Sequence, residues 1–436
     1  MWLAEANGLR ILCDPLLDDL HHGGIFEVFP GRSIDAAALR PDFLLVSHRH
    51  PDHFDPKSLR RLAELDPDTV VVTSDPLVGE ICRKVGFSTT KLIAPETKID
   101  LDGPTLLTTP SANATDPEWG VIVATDDGVV WNQIDTSLGS IADVGAFFVR
   151  AAQALGRPRK QLVTLALARW QPLLEVEHAL GERIGFPFAA YASELEHVAA
   201  IDARVVCPSS AGAVHAAPFG ALNRLVYPIS EERFVQDAKK RMPGVRVVSA
   251  PIGATFRIRN GEVSIDERGA IEAGLVSVNP SARDPRDFRP LEIPALVDPN
   301  IDGREEREVR ERIDRWARGD LARALGKQAP LVRVLEVVLP TETVTYTFDG
   351  GAVDVGSRSD WDVRCAVAGT LLDDVLAARR HWGDLLLAGM LRGVSRAYTV
   401  DPTGLRRNSE QPLFVYHAIS YEESVRRELM QVMIEI

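Results

Sequence analysis

The sequence has little cysteine, no long apolar run and a shortage of positive charge. Only four of its 436 residues are cysteines, at positions 13, 82, 207 and 365, and none of them forms a CxxC pair. Structural zinc knuckles and secreted disulfide frameworks are therefore poorly supported. No uninterrupted apolar stretch approaches the length of a membrane span, and Glu5 and Arg10 interrupt the segment that a signal peptide would need. We expect a cytoplasmic protein without a membrane partner.

The formal net charge is -13, from 49 lysines and arginines against 62 aspartates and glutamates. Nonspecific binding to nucleic acid depends on basic side chains that displace counterions from the phosphates, so this composition argues against a nucleic-acid partner. What the chain does have is an ordinary globular composition, 45% hydrophobic and 25% charged. Its length predicts two domains, or three.

Short strands alternate with helices over the first two-thirds of the chain. The apolar runs Leu9 to Cys13 and Phe43 to Val46 have the length of strands, and Asp14-Pro15 closes the first of them. Leucines at helical spacing between residues 58 and 65 predict a helix. The segment VATDDGVVW predicts a hairpin with an Asp-Gly turn. This mixture favours an α/β fold in which two sheets form a sandwich.

The remainder of the chain predicts a smaller α+β domain. Five prolines between residues 280 and 299 indicate a linker or a wrapping arm. The charge-dense segment 303–327 predicts a helix that buries Ile313, Trp316 and Leu321. A strand-like segment (VTYTF) and two apolar helical stretches, over 369–378 and 382–391, follow. We therefore divide the chain into a first domain over residues 1–260, a linker with the charged helix over 261–327, and a C-terminal domain over 328–436.

The segment FLLVSHRHPDHFD, residues 43–55, places three histidines and one aspartate within six positions directly after a predicted buried strand. A strand end is rigid, and the turn after it allows side chains at alternate positions to converge. His48 and His50 could share one metal ion, and Asp52 and His53 could face a second. Imidazole and carboxylate ligands suit zinc, iron or manganese, so we predict one or two divalent metal ions.

An HxHxDH motif after an apolar strand resembles the metallo-β-lactamase superfamily, and the resemblance covers about residues 8 to 260. It implies an αββα sandwich with metals at one edge of the sheets. It further implies that NQIDT, residues 132–136, delivers the bridging aspartate, Asp135, and that His215 follows a late strand as the last metal ligand. In a hydrolytic reaction, Asp52 or Asp135 would be the catalytic group that orients or deprotonates the nucleophile.

The sequence departs from this family at one ligand. Members carry a third histidine shortly before the strand that leads to the bridging aspartate, and here the segment TTPSANATDPEWGVIV contains none. Asn113, Asp116 and Glu118 are the candidate replacement ligands, and the alternative is that they lie in a solvent loop. A carboxylate in that place would favour iron or manganese over zinc.

Three further residues are candidate substrate contacts. His21 and His22 lie in the loop after Asp14-Pro15, where they could line the mouth of the site, and the alternative is that they are solvent-exposed. Arg49 lies within the histidine motif and could contribute a local positive charge.

Six further segments follow one another along the chain: ILCDPLL, SHRHPDHFDPKSLRRL, WNQIDT, GFPF, VVCPSSAG and PIGATF. They resemble, in the same order, segments in the non-Rieske part of CMP-N-acetylneuraminate hydroxylase and its bacterial relatives. The Rieske ligands themselves, paired Cys-x-His and Cys-x-x-His, are absent. Because the chain enters its first strand almost at once, we expect any electron donor to be a separate protein.

Three functions stay open at this point. The favoured one is a metal-dependent hydrolase acting on a small ester, lactone, thioester, amide or phosphodiester through a metal-activated water. The alternative is an iron-dependent oxygenase or hydroxylase that uses dioxygen and a separate redox partner. The third is a non-catalytic metal-binding relative. Both enzyme hypotheses imply a small-molecule substrate, and apolar helical faces near the C-terminus could form a homo-oligomer.

Overall fold

The computed structural model describes residues 1–112, 117–172, 185–210, 212–217, 219–267, 274–279, 285–286, 288, 295–323, 334–349, 352–380, 384–385, 389–395, 398–401, 404–407, 426, 429–430 and 433–434. The chain divides into two compact units. The first comprises Met1–Pro172, Ala189–Val214 and Ile229–Pro285, and the second comprises Leu173–Phe188, His215–Pro228 and Arg286–Ile436.

The strands and helices are numbered here in chain order. The described strands are β1 (Trp2–Ala6), β2 (Leu9–Cys13), β3 (Leu20–His21), β4 (Phe26–Val28), β5 (Arg32–Ile34), β6 (Phe43–Val46), β7 (Val70–Thr73), β8 (Thr89–Leu92), β9 (Lys98–Asp100), β10 (Thr105–Thr108), β11 (Val121–Thr125), β12 (Gly128–Asn132), β13 (Leu165–Ala168), β14 (Val205–Pro208), β15 (Ala213–His215), β16 (Arg246–Val247), β17 (Thr255–Arg259), β18 (Glu262–Asp266), β19 (Leu275–Val278), β20 (Val334–Val338), β21 (Thr343–Asp349), β22 (Ala352–Gly356), β23 (Val363–Val367), β24 (Leu391–Ser395), β25 (Tyr398–Asp401) and β26 (Gly404–Arg407). The described α-helices are α1 (Ala36–Leu39), α2 (Pro56–Leu65), α3 (Pro76–Val85), α4 (Ile141–Leu155), α5 (Phe188–Ile201), α6 (Asn223–Val226), α7 (Glu231–Arg241), α8 (Glu306–Trp316) and α9 (Gly369–Leu376).

Two large sheets form the first unit. One has the strand order β1-β2-β6-β7-β8 and is parallel except for the hairpin β1–β2. The other has the order β16-β14-β13-β12-β11-β10-β9, antiparallel from β9 to β12 and parallel from β12 onward. The run FLLV of β6 pairs with a parallel strand on each side, which agrees with its continuous apolar composition.

The two sheets pack face to face. One hydrophobic cluster joins side chains from both of them, and its members include Ile11, Cys13, Leu45 and Val72 from the first sheet and Leu106, Val121 and Val123 from the second. Helix α3 packs on β7 and β8, and Phe148 of α4 makes an edge contact with Trp131 of β12. This is an αββα sandwich, as the metallo-β-lactamase resemblance implies, and the predicted fold class is confirmed.

Local sequence signals explain where the helices next to the sheets begin. Asp55 accepts hydrogen bonds from Lys57 and Ser58 at the start of α2, and Pro56 occupies the first turn. Asp75 caps α3 in the same way, again followed by a proline. A side-chain cap satisfies backbone N–H groups that have no partner within the helix, and proline fits the first turn because it lacks this donor.

The second unit contains a five-stranded sheet with the order β22-β21-β20-β23-β24. The predicted core positions of the charged helix are buried against it, since Ile313, Trp316 and Leu321 are 0%, 8% and 0% exposed. The helix predicted from residue 369 is α9. The helix predicted over 382–391 is wrong at its end, because Leu391 begins β24 and pairs with Val367.

The first unit continues beyond the hairpin of β17 and β18, since β19 pairs with β5. All four cysteines are buried and free. Among the helices in the described part of the chain, none is long and apolar enough to cross a membrane.

Candidate metal centre

The loop that follows β6 carries the HxHxDH motif. β6 lies between β2 and β7, so parallel neighbours fix its carboxyl end on both sides. The chain then turns tightly, and the N–H groups of His53 and Phe54 both donate to the carbonyl of His50, at 2.9 and 2.8 Å. The Phe54 ring is buried, and Asp55 caps the next helix. The turn is therefore anchored at both ends, which keeps the histidine side chains together.

His48 contacts both of the other histidines in the motif. Nε2 of His48 lies 3.0 Å from Nδ1 of His50. The ring centroid of His48 lies 4.4 Å from that of His50 and 4.3 Å from that of His53. His48 is 1% exposed. Imidazole nitrogens brought this close are arranged as ligands of a common ion would be.

Asp135 reaches this cluster from the second sheet. It follows β12, and its Oδ2 lies 3.2 Å from Nε2 of His53. The same nitrogen lies 3.3 Å from Oδ2 of Asp52. Two residues of the motif and one from a loop more than 80 positions away therefore converge on one point.

The donor set fits a divalent metal ion. One ligand atom each from His48, His53 and Asp135 lies within 4.8 Å of the other two. Two imidazole nitrogens with a carboxylate oxygen are a ligand set that zinc, iron and manganese all accept. His50 and Asp52 adjoin this group and could complete the coordination.

The electrostatics of the cluster favour a positive charge between its carboxylates. Burial lowers the pKa of His48 well below its ordinary value, and His53 and His50 lower it further. Burial alone would also lower the pKa of His53, but Asp52 and Asp135 outweigh it and hold that pKa well above the ordinary value. The pKa of Asp52 is well below its usual range because His53 outweighs the effect of burial. The two carboxylates therefore favour the positively charged form of the His53 ring.

Asp14 is a site residue that the sequence analysis missed. It follows β2 and is 3% exposed, and its Oδ1 accepts a hydrogen bond from the Ser47 N–H at 2.8 Å. Its Oδ2 accepts one from the Ser47 hydroxyl at 2.9 Å and lies 3.0 Å from Nδ1 of His53. A carboxylate on one ring nitrogen orients a ligand histidine so that the other nitrogen faces the metal. The available signal was the Asp14-Pro15 pair, which ends a strand and belongs to the segment ILCDPLL of the hydroxylase resemblance.

His21 and His22 adjoin the cluster through Asp52. Both rings are buried, at 7% and 6% exposure, and their Nδ1 atoms lie 2.7 Å apart. Nε2 of His22 lies 4.0 Å from Oδ1 of Asp52. Burial lowers the pKa of His21, and it lowers the pKa of His22 to about 3, so both rings are neutral at neutral pH. The structure therefore places them beside the site, and their role toward substrate stays a prediction.

Arg49 has a protein partner. Its Nε and Nη2 donate to the two oxygens of Asp75 at 2.5 and 2.9 Å, and both side chains are buried. The pair joins the motif to the start of α3. This geometry explains the burial of the guanidinium without a substrate, and it gives no support to Arg49 as a substrate contact.

Of the three candidate replacements for the missing histidine, Glu118 lies in the described part of the chain. Glu118 is 6% exposed and accepts a hydrogen bond from the Ser111 hydroxyl, so it does not lie in a solvent loop. It is not a member of the close group formed by His48, His53 and Asp135. Asn113 and Asp116 lie outside the described residues.

His215 belongs to the second unit, where a local network fixes it. Its N–H donates to Oδ1 of Asn223 at 2.7 Å, and its carbonyl accepts from Nδ2 of the same side chain at 3.2 Å. The ring lies 5.5 Å from that of Tyr227. His215 is 2% exposed. Its role as a metal ligand stays a prediction.

No family model matches the chain. Over 90 residues, 20% of this chain and 17% of the relative, it is 38% identical to a protein of Mycolicibacterium smegmatis named as a Rieske 2Fe-2S iron–sulfur protein. Over 84 residues, 19% of this chain and 32% of the relative, it is 32% identical to a metal-dependent hydrolase of Exiguobacterium sp.. The predicted resemblance is confirmed. Both matches span less than a third of the relative's length.

Among solved structures, the chain is similar to CmlA, a diiron β-hydroxylase from Streptomyces venezuelae. The identity is 15%, the TM-score is 0.37, and the alignment covers 56% of this chain and 50% of that one.

Proposed function

We propose that this chain is a metal-dependent hydrolase of the metallo-β-lactamase fold. The observation that carries the proposal is the convergence of His48, His53 and Asp135, whose ligand atoms lie within 4.8 Å of one another. The sequence match to a metal-dependent hydrolase also supports it. His50 and Asp52 would complete the ligand set, and zinc, iron and manganese are all compatible with it.

A divalent metal bound to these residues would supply a Lewis acid that activates water and polarises a substrate oxygen. The chain's own carboxylates would handle the proton. Because His53 holds the pKa of Asp52 well below its usual range, this side chain is a carboxylate at neutral pH and can accept a hydrogen bond from the attacking water. Its side chain is 34% exposed, so a substrate can reach it. We propose a small ester, lactone, thioester, amide or phosphodiester as the substrate.

An iron-dependent oxygenase is the second candidate. The observation that favours it is the 90-residue match to a protein named as a Rieske 2Fe-2S iron–sulfur protein. The electron donor would lie outside these 436 residues, because their four cysteines are buried and distant in sequence, and no Cys-x-His pair occurs among them.

The test begins with elemental analysis of the purified protein, followed by assays for ester and phosphodiester hydrolysis and for oxygen consumption with a reductant. Bound zinc or manganese with hydrolytic turnover supports the hydrolase. Bound iron with oxygen uptake would refute the hydrolase and support the oxygenase. Stoichiometric metal without either activity would favour a non-catalytic relative.

Substitutions test whether the metal and the activity depend on the proposed ligands. His48→Ala and Asp135→Asn should lose bound metal and activity together. His197→Ala is the matched control, because this histidine lies on α5 and is not part of the ligand group. Full metal content in both site variants would refute the assignment of the centre.

A further inference from the structure

The short loop that carries Asp135 has an unfavourable backbone. Ile134 has a φ of +57°. A β-branched residue rarely adopts this left-handed conformation, which costs about 1–3 kcal/mol and persists only where surrounding contacts impose it. The Ile134 side chain is 2% exposed and belongs to the cluster between the two sheets. Core packing therefore holds one side of the turn that aims Asp135.

Hydrogen bonds within residues 132–136 hold the turn itself. Oδ1 of Asn132 accepts from the Ile134 N–H at 3.0 Å, and the Thr136 hydroxyl donates to the Gln133 carbonyl at 2.6 Å. Nε2 of Gln133 donates back to the Thr136 carbonyl at 2.9 Å. A Cβ on Gly120 would lie only 2.8 Å from the Gln133 carbonyl oxygen, so glycine is needed where the neighbouring strand approaches.

Arg169, at the end of the adjacent strand β13, holds the same loop from outside. Its backbone N–H donates to Oε1 of Gln133 at 3.0 Å, and its Nη1 donates to the Asp135 carbonyl at 3.1 Å. Its Nη2 contacts Oε1 of Glu194 at 3.1 Å, which orients the guanidinium. One arginine thus reaches both the residue before the strained position and the residue after it.

We propose that Arg169 and Gln133 are positioning residues that aim the Asp135 carboxylate at the metal centre. Their contacts are to the backbone and side chains of the loop, whereas the Asp135 carboxylate extends to His53. With the Asp135 carbonyl held by Arg169 and the preceding turn held by Gln133, the carboxylate has little freedom to move away from the histidines. The inference rests on the proposed function, in which Asp135 is a metal ligand.

The test compares Arg169→Met and Gln133→Glu with the wild-type chain in two measurements. Gln133→Glu keeps the acceptor for the Arg169 N–H but replaces the donor that holds the Thr136 carbonyl. Arg150→Met is the matched control, because Arg150 forms a two-pronged pair with Glu96 that does not touch the loop. The first measurement is hydrogen–deuterium exchange of the metal-free protein over residues 130–138. The second is calorimetric titration with Zn²⁺ and Mn²⁺.

We expect faster exchange in this loop alone and a 10- to 100-fold weaker metal affinity in both variants, the range typical of residues that orient metal ligands. Arg150→Met should match the wild type in both measurements. In an Asp135→Asn background, Arg169→Met should produce no further loss of affinity, since the carboxylate that it positions is already gone.

Unchanged exchange and unchanged affinity in Arg169→Met would overturn the inference while leaving the metal centre in place. An additive loss in the Asp135→Asn background would also overturn it, because Arg169 would then act by another route. A wild-type chain that binds neither metal removes the proposed function itself and the inference with it. If Arg169→Met does not fold, Gln133→Glu decides on the same criteria.

Discussion

Oδ2 of Asp14 lies 3.0 Å from Nδ1 of His53, although 39 positions separate the two residues in the sequence. The contact depends on the parallel pairing of β2 with β6, because the Asp14 N–H donates to the carbonyl of Leu45. Through this contact, the end of β2 determines how the proposed ligand His53, in the loop after the neighbouring strand β6, is oriented.

Asp14→Asn should weaken metal binding without unfolding the protein. Asp14 has a φ of +48°, which asparagine also tolerates, so the substitution leaves the backbone unstrained. The amide would orient His53 less firmly than the carboxylate, and we expect a 10- to 100-fold lower affinity for Zn²⁺ by calorimetry. Asp42→Asn is the control, since Asp42 accepts a hydrogen bond from the Arg10 N–H at an exposed position. Equal affinity in both variants would contradict the orienting role.

The metal-free protein should lose stability as the pH falls below 6.5. Burial lowers the pKa of His22 to about 3 from 6.5, and it also lowers the pKa values of His21 and His48. Unfolding restores the ordinary values, so below pH 6.5 the unfolded chain takes up protons that the folded chain does not. Above pH 6.5 these histidines are neutral in both states and leave the free energy of unfolding unchanged. From pH 6.5 toward pH 3 the free energy of unfolding decreases, by about 1.4 kcal/mol per pH unit for His22 alone.

His53 has the opposite effect: it makes the folded state less stable as the pH rises. Its raised pKa stabilises the folded state fully below pH 6.5, where the ring is protonated in both states, and this contribution disappears as the pH rises through the raised value. Urea unfolding in EDTA between pH 4.5 and 8 would measure both effects. The His22→Asn variant should have a shallower acid slope than the wild type. Parallel profiles for the wild type and this variant would argue against a buried, neutral His22.

Arg49→Met should destabilise the protein by about 3–5 kcal/mol, because it leaves the buried Asp75 carboxylate without its partner. The double variant Arg49→Met/Asp75→Asn should recover most of this loss, since no unpaired charge remains. The control is Arg60→Met, which breaks an exposed pair with Glu64 and should cost less than about 1 kcal/mol. In a hydrolytic assay, an increased KM in the stable double variant would support the prediction that Arg49 contacts the substrate.

Asp373→Asn should be the most damaging conservative change in the second unit. This side chain is 0% exposed and pairs with Arg304, Arg312 and Arg379. We expect a loss of about 3 kcal/mol in urea unfolding, at the lower end for a broken buried pair, because Arg312 and Arg379 are partly exposed. Asp320→Asn, in an exposed pair with Arg323, should change stability by less than about 1 kcal/mol. A similar loss of unfolding free energy in both variants would mean that solvent screens the ion pairs of Asp373.

Local patterns predicted the first unit well. The strands Leu9–Cys13 and Phe43–Val46 were predicted at their observed bounds, and helix α2 begins two residues before the predicted leucine pattern, at the proline after Asp55. These elements are encoded by apolar runs, helical spacing and capping residues. Asp135, which the resemblance to the metallo-β-lactamase superfamily implies as a ligand, lies 3.2 Å from His53, and its role as a metal ligand stays a prediction.

Features that depend on distant contacts were not predictable in the same way. The role of Asp14 requires knowing that β2 and β6 are neighbours, and the burial of Arg49 requires knowing that Asp75 starts the helix after the next strand. Leu391 was assigned to a helix because its segment is apolar, yet its pairing with Val367 makes it the start of a strand. In each case, a contact with a distant part of the chain overrides the local signal.

The proposed ligand atoms come from opposite halves of the sandwich, because His48 and His53 follow a strand of one sheet and Asp135 follows a strand of the other. A chain in which only one sheet has formed therefore lacks a complete centre. If these residues hold the metal, its uptake would report that the two sheets have docked, and a chain with undocked sheets would not bind it there. In refolding experiments, tight metal binding should consequently appear together with burial of the core tryptophans and not before it.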